Sequence, residues 1–87
     1  LQANIEIINK AGLHARAASK LVTLTSSFSS TIKIGQEKMV DGKSILSLMM
    51  LAATKGTVLQ LEIEGRDEEQ AMQAIKTLIT DRFDESE

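Results

Sequence analysis

The chain of 87 residues contains no cysteine, no proline, no tryptophan and no tyrosine, and only two phenylalanines and one histidine. Without cysteine there is no disulfide framework, no thiolate nucleophile and no zinc–thiolate site. One histidine excludes a multi-histidine metal site; no metal and no cofactor are expected. The longest apolar run, Leu48 to Ala53, is far short of the roughly 20 residues that a membrane helix needs. No basic, apolar leader opens the sequence, so no signal peptide is expected. The length sets a single domain over residues 1–87. A domain this small buries only roughly 60% of the surface its unfolded chain exposes, which leaves little room for a deep active-site cleft.

What is present is an ordinary globular composition with uneven charge. Hydrophobic residues make up 43% and charged residues 25% of the chain, the proportions of a soluble domain. From Leu1 to Gln36 there are four cations and one acid, net +3, whereas Glu37 to Glu87 carries six cations and eleven acids, net −5. No acidic residue lies between Glu6 and Glu37. An anionic ligand or partner would prefer the first half.

Periodicity orders the elements. Ala3 to Ile8 alternates as a strand, broken by Asn9–Gly12, where Gly12 is free to take a positive φ. Apolar positions at Ala18, Leu21, Val22, Thr25 and Phe28 predict a helix over about 15–27. Thr31 to Gly35 and Met39–Val40 read as paired strands. Ser44 to Ala53 reads as a short helix capped by Ser44, with Gly56 just beyond its end. Thr57 to Glu64 alternates again, with an irregularity near Leu59. Asp67 and Gln70 form a capping box for a last helix whose stripe is Ala71, Ile75, Leu78, Ile79 and Phe83. The final run, Asp84 to Glu87, reads as a frayed acidic end. The order β-α-β-β-α-β-α predicts an α+β fold, a mainly antiparallel sheet with helices on one face.

His14 is the most informative residue, because it follows Gly12 and immediately precedes a helix. A helix start carries unpaired backbone N–H groups and partial positive charge, which makes it an anion site and disfavours imidazole protonation. A neutral imidazole there has a lone pair and can act as a nucleophile. Arg16 lies in the first turn, the unfavourable end of the helix dipole for a cation, and Lys20 follows four residues on. Both make sense if an anion visits, and a guanidinium suits phosphate oxygens. Spacing alone leaves open that His14 is a surface loop residue and Arg16 a solvated cation.

The second helix is too apolar to bury itself on a sheet. Leu48, Leu51 and Ala52 form one stripe, and Ile45, Leu46, Met49 and Ala53 form another about a third of a turn away. Some of Ile45, Leu46, Met49 and Met50 should be exposed, as a methionine-containing surface for partners. Ser44 is a helix cap on one reading. On another it is a place where a phosphate would be welcomed and would block that surface.

Gly12-Leu13-His14-Ala15-Arg16-Ala17-Ala18 resembles the active-centre motif of the HPr family, the histidine phosphocarriers of the bacterial phosphotransferase system. Asp41-Gly42-Lys43-Ser44-Ile45-Leu46 resembles the family's regulatory-serine segment, and both motifs stand in register over essentially the whole chain. Val40 to Ser44, Met49 to Ala53 and Arg82 to Glu85 look most like the nitrogen-related branch, NPr. The resemblance implies an open-faced sandwich of four antiparallel strands with three helices on one face. It implies a phosphoryl carrier rather than an enzyme, serving sugar uptake or nitrogen-related regulation. His14 would accept the phosphoryl group on its δ nitrogen from enzyme I, which is charged by phosphoenolpyruvate, and pass it to an EIIA-type protein. Arg16 would neutralise phosphoryl oxygens, and Ile45, Leu46 and Met49 would dock partners. Ser44 would be the substrate of an HPr kinase/phosphorylase. The resemblance further implies a cytoplasmic monomer with no nucleic-acid and no membrane partner. One departure is Ala17, where many members have proline. Alanine starts a helix well, so the site should survive with a softer helix start.

Two other readings compete. A small regulatory ligand-binding domain of ACT-like pattern would need no nucleophile, and His14 could then be replaced without loss. A module resembling an RNA-recognition domain would stack bases on strand aromatics, but Phe28 and Phe83 both fall at helix ends and the net charge is −2.

Overall fold

The structure, a computed structural model, describes residues 1–87. The elements run β1 (Gln2–Glu6), α1 (Ala15–Thr25), β2 (Thr31–Gly35), β3 (Met39–Asp41), α2 (Ile45–Met50), β4 (Val58–Glu64) and α3 (Glu68–Thr80), followed by a single 3-10 turn, Arg82–Asp84. The four strands form one antiparallel sheet in the order β1-β4-β2-β3. With three helices over one face, this is the α+β fold that the periodicity predicted and the open-faced sandwich of four antiparallel strands that the resemblance implied.

Pairing fixes which side chains face the helices. Ile5 lies opposite Leu59, Leu61 lies between Ala3 and Ile34, and Ile63 lies opposite Ile32. This register locks the phase of β4, which is regular throughout: Leu59, Leu61 and Ile63 are buried and Val58 faces solvent. The irregularity expected near Leu59 is absent, because a one-residue slip would bring Leu59 out and put Gln60 in the core. From above, α1 contributes Ala17, Ala18, Leu21 and Thr25, and α3 contributes Ala71, Met72, Ile75 and Ile79. The core cluster numbers 18 residues, and each large aliphatic side chain in it stabilises the fold by roughly 1.5–3 kcal/mol.

Three local expectations are corrected. The second helix stops at Met50, short of Ala53, and the left-handed residue that follows it directly is Ala52 (φ 51°), with Gly56 (φ 94°) further on in the turn before β4. The turn brings Ala53 inward, where its carbonyl accepts the Leu13 N–H at 2.8 Å. Asp67 stands at the start of α3 but does not cap it. Its carboxylate accepts the Ser29 and Ser30 N–H groups at 2.9 and 3.0 Å and the Ser30 hydroxyl. The loop before β2 lies against Gly65, where an added Cβ would fall 2.6 Å from Ser30 Oγ, so Ser30 reaches the carboxylate before the helix amides do. Phe83 does not continue the stripe of α3. The helix ends at Thr80, and Phe83 reaches the core through three successive left-handed residues, Arg82, Phe83 and Asp84 (φ 57°, 53° and 64°).

Candidate functional site: an open helix start with an acidic strap

The loop between β1 and α1 is tied so that His14 stands at the helix start. Gly12 adopts φ +69°, and a Cβ there would lie 2.5 Å from the Ala53 carbonyl oxygen, so no other residue fits without displacing backbone. Asn9 is fully buried and bound to Gly12 in both directions. Its Nδ2 donates to the Gly12 carbonyl at 2.8 Å, and the Gly12 N–H donates to the Asn9 carbonyl at 3.1 Å. Leu13 is buried against the core. His14 then follows as the N-cap residue of α1 in extended conformation, its carbonyl accepting the Ala18 N–H at 2.8 Å.

The start of α1 is left chemically open. The His14 side chain makes no capping hydrogen bond, and no acid lies in the first turn. The Ala15, Arg16 and Ala17 amides find no partner within the chain. Arg16 is exposed, shares one open depression with His14 and Lys10, and pairs with no carboxylate. Unspent amides, the positive end of the helix dipole and a free guanidinium together make a site for a compact, highly charged anion.

The acidic run at 84–87 is not frayed. The left-handed turn turns it back across the start of α1, where carboxylates meet cations of the first half. Asp84 lies 3.8 Å from Lys20 Nζ, and Glu87 lies 3.5 Å from Lys10 Nζ. Glu85 is hydrogen-bonded to His14 Nε2 through one oxygen and accepts from Asn9 Nδ2 through the other at 3.1 Å. Lys20 Nζ also donates to the Phe83 carbonyl at 2.8 Å, which secures the turn. The hydrogen bond with His14 holds the Glu85 carboxyl below the ordinary glutamate range. Partial desolvation opposes the shift, and the Asn9 hydrogen bond and the charges of His14 and Arg16 assist it.

The other candidates are placed as follows. On α2, Ile45 (41%), Leu46 (67%), Met49 (41%) and Met50 (76%) are exposed, while Leu48 is fully buried. The second apolar stripe is therefore a surface. It connects to the histidine loop through Ala53, whose carbonyl holds Leu13. Ser44 caps α2, its Oγ accepting the Ser47 N–H at 3.2 Å. No three of the His, Cys, Asp and Glu side chains cluster as a metal would require. Asn9 and Glu85 were missed in the sequence. Asn9 looked like a turn residue, and Glu85 lies 71 positions from its histidine. The available signal was Phe83, a lone aromatic inside an acidic run, which anchors that run to the core.

Comparison with known proteins gives one consistent result. The family model described as "PTS HPr component phosphorylation site" matches residues 1–81. The phosphocarrier protein HPr of Neisseria meningitidis serogroup A is 51% identical over 88 aligned positions, covering 100% of this chain and 99% of that protein. The phosphocarrier protein NPr of Shewanella violacea is 42% identical, covering 99% of this chain and 96% of its own length. Among solved structures, an HPr from Thermoanaerobacter tengcongensis superposes with a TM-score of 0.95 at 43% identity, covering 100% of this chain and 99% of that one.

Proposed function

The chain belongs to the HPr family of phosphocarriers of the phosphotransferase system, and from that premise we propose that His14 is the residue that carries the phosphoryl group. A carrier of this family is a relay component rather than a catalyst, and the ACT-like alternative falls with the family assignment. The observation that carries the reading is the open start of α1: a histidine at the N-cap position, unspent amides behind it and an unpaired Arg16 beside it.

Phosphoryl transfer needs positioning and stabilisation of negative charge spread over three oxygens. His14 supplies the lone pair that attacks phosphorus. The first-turn amides and the Arg16 guanidinium receive the phosphoryl oxygens, so the charge arriving on the carrier is met without a deep pocket. The donor is enzyme I charged by phosphoenolpyruvate, and the acceptor is a histidine of an EIIA-type protein, in sugar uptake or nitrogen-related regulation. Exposed Ile45, Leu46 and Met49, joined by Met50, form the apolar surface on which both partners dock. Ser44 serves first as the cap of α2. A phosphate added there by an HPr kinase/phosphorylase would place about −1.5 to −2 charge beside Leu46 and obstruct docking.

The test is to incubate the full chain with enzyme I and phosphoenolpyruvate and weigh the intact protein. One acid-labile phosphoryl group is expected on the wild type and none on His14→Ala. Equal phosphorylation of His14→Ala would remove the reading.

A further inference from the structure

We infer that Glu85 is a positioning residue for phosphoryl transfer: it holds the proton of His14 on Nε2, leaves Nδ1 as the nucleophile, and faces the positive charge that the ring acquires when phosphorylated. The inference deepens the proposed function and rests on it. Its ground is a contact among His14, Glu85 and Asn9, residues brought together from the two ends of the chain. One oxygen of the Glu85 carboxylate bonds His14 Nε2, and the other accepts from Asn9 Nδ2 at 3.1 Å.

The direction of the hydrogen bond follows from the charge state. Glu85 lies below the ordinary glutamate range, so near neutral pH it is a carboxylate and can only accept. In neutral His14 the proton therefore sits on Nε2 and the lone pair on Nδ1, the tautomer logic of carboxylate–histidine pairs in general. His14 Nε2 is the ring nitrogen with a partner in the chain, so Nδ1 is the one available for attack.

The mount of Glu85 is rigid. Asn9 is 0% exposed and tied to Gly12, so its Nδ2 is fixed in direction. On the other side, Glu85 follows three residues in the left-handed conformation that L-residues disfavour, Arg82, Phe83 and Asp84. Phe83, 0% exposed, and the Lys20 hydrogen bond to its carbonyl hold that turn. The Glu85 N–H donates to the Arg82 carbonyl at 2.9 Å. Strain of this kind persists only where its surroundings enforce it.

The step balances simply. The Nδ1 lone pair forms a bond to phosphorus, and the bond between phosphorus and the donor breaks with its electron pair leaving on the donor. The proton stays on Nε2. The ring, now substituted on one nitrogen and protonated on the other, carries a positive charge directly against the Glu85 carboxylate. Onward transfer reverses these changes, and the ring returns to the same neutral tautomer. The opposing view is that the carboxylate is a stand-in anion that excludes the phosphoryl group. The two differ in sign, because removal of an excluder speeds phosphorylation and removal of a positioning group slows it.

The experiment uses the full chain as wild type, Glu85→Gln, Glu85→Ala and, as a control for net charge, Glu87→Gln. Nitrogen-15 NMR of the unphosphorylated proteins at alkaline pH reads the tautomer and the exchange of the Nε2 proton. A slowly exchanging, downfield Nε2–H is expected in wild type and Glu87→Gln and is lost in Glu85→Ala. Rates of phosphorylation by enzyme I then separate kcat from KM. For both Glu85 variants kcat should fall about tenfold, the scale of losing a group that orients a histidine, with KM unchanged. Glu85→Gln keeps the side-chain shape, so it reads the charge even if the alanine variant loosens the turn. An Nε2–H that persists in Glu85→Ala, or Glu85 variants that react as fast as wild type or faster while His14 carries the phosphate, overturns this inference alone. A wild type that takes no phosphoryl group on His14 overturns both this inference and the reading beneath it.

Discussion

Two helix starts in this chain are built in opposite ways. At α3 the electrostatics are finished: Glu68 and Glu69 occupy the first turn, the Glu68 carboxylate accepts the Gly65 N–H at 3.2 Å, and Asp67 is consumed by Ser29 and Ser30. At α1 there is no acid in the first turn and no capping side chain, and Arg16 sits where a helix disfavours a cation. Both starts hold a carboxylate nearby, but the two are used differently. Asp67 joins two loops and touches nothing reactive. Glu85 comes from a distant turn and touches the histidine. A helix start that completes itself is structural, and one left incomplete beside a histidine has unspent donors to offer an anion.

The largest effect on that contrast comes from removing the anchor of the strap. Phe83→Ala should cost about 3–5 kcal/mol, read as a lower urea midpoint at constant slope, and should free Glu85 from His14. If stability falls but the His14–Glu85 contact persists, the strap is held by its charges rather than by the core.

Next in size is the cation. Arg16→Ala should slow phosphoryl transfer about 100-fold, the scale of losing one oxyanion-type partner, while stability changes within about 0.5 kcal/mol. Arg66→Ala, at the finished helix start, should leave transfer unchanged. Equal losses in both variants would mean that general positive charge, not the open helix start, receives the phosphoryl group.

The proposed docking surface on α2 gives a smaller and separable change. Leu46→Glu, at a position 67% exposed, should raise KM for enzyme I about tenfold, equivalent to roughly 1.4 kcal/mol of binding, without altering the thermal midpoint. An unchanged KM would remove α2 from the interface.

How much of this was legible in the sequence depends on distance along the chain. His14 and Arg16 are two positions apart and sit at a helix boundary that glycine announces, so local rules place both at the start of α1. The apolar excess of α2 was equally local. The strap was not legible, because its turn uses Arg82, Phe83 and Asp84 in left-handed conformation with no glycine to mark it. What pays for that conformation is burial of Phe83 and a hydrogen bond from Lys20, both long-range. Asp67 failed as a cap for the same reason: its competitor, Ser30, is 37 positions away. The phase of β4 at Leu59 was decided by Ile5 across the sheet.

The smallest expected effect tests the finished helix start by pH. Hydrogen bonds from Ser30 Oγ and the Ser29 N–H pull the Asp67 carboxyl down to about 2 from an unfolded value near 3.8. A depressed carboxylate contributes stability that is fully present above its unfolded value and is lost as pH falls through its folded value. Wild type should therefore lose stability progressively from pH 3.8 toward pH 2, and Asp67→Asn should show a shallower loss in that window. Phosphoryl transfer at neutral pH should be the same in both. A slower carrier would place Asp67 in the functional region and dissolve the contrast between the two helix starts.

The central claim is that the open start of α1 makes His14 the phosphoryl carrier, and the most direct measurement is the location of the phosphate. Phosphorus-31 and nitrogen-15 NMR of the chain charged by enzyme I and phosphoenolpyruvate should show a single phosphoryl group bonded to Nδ1 of His14. A phosphate on Nε2, or on any residue other than His14, would contradict the account.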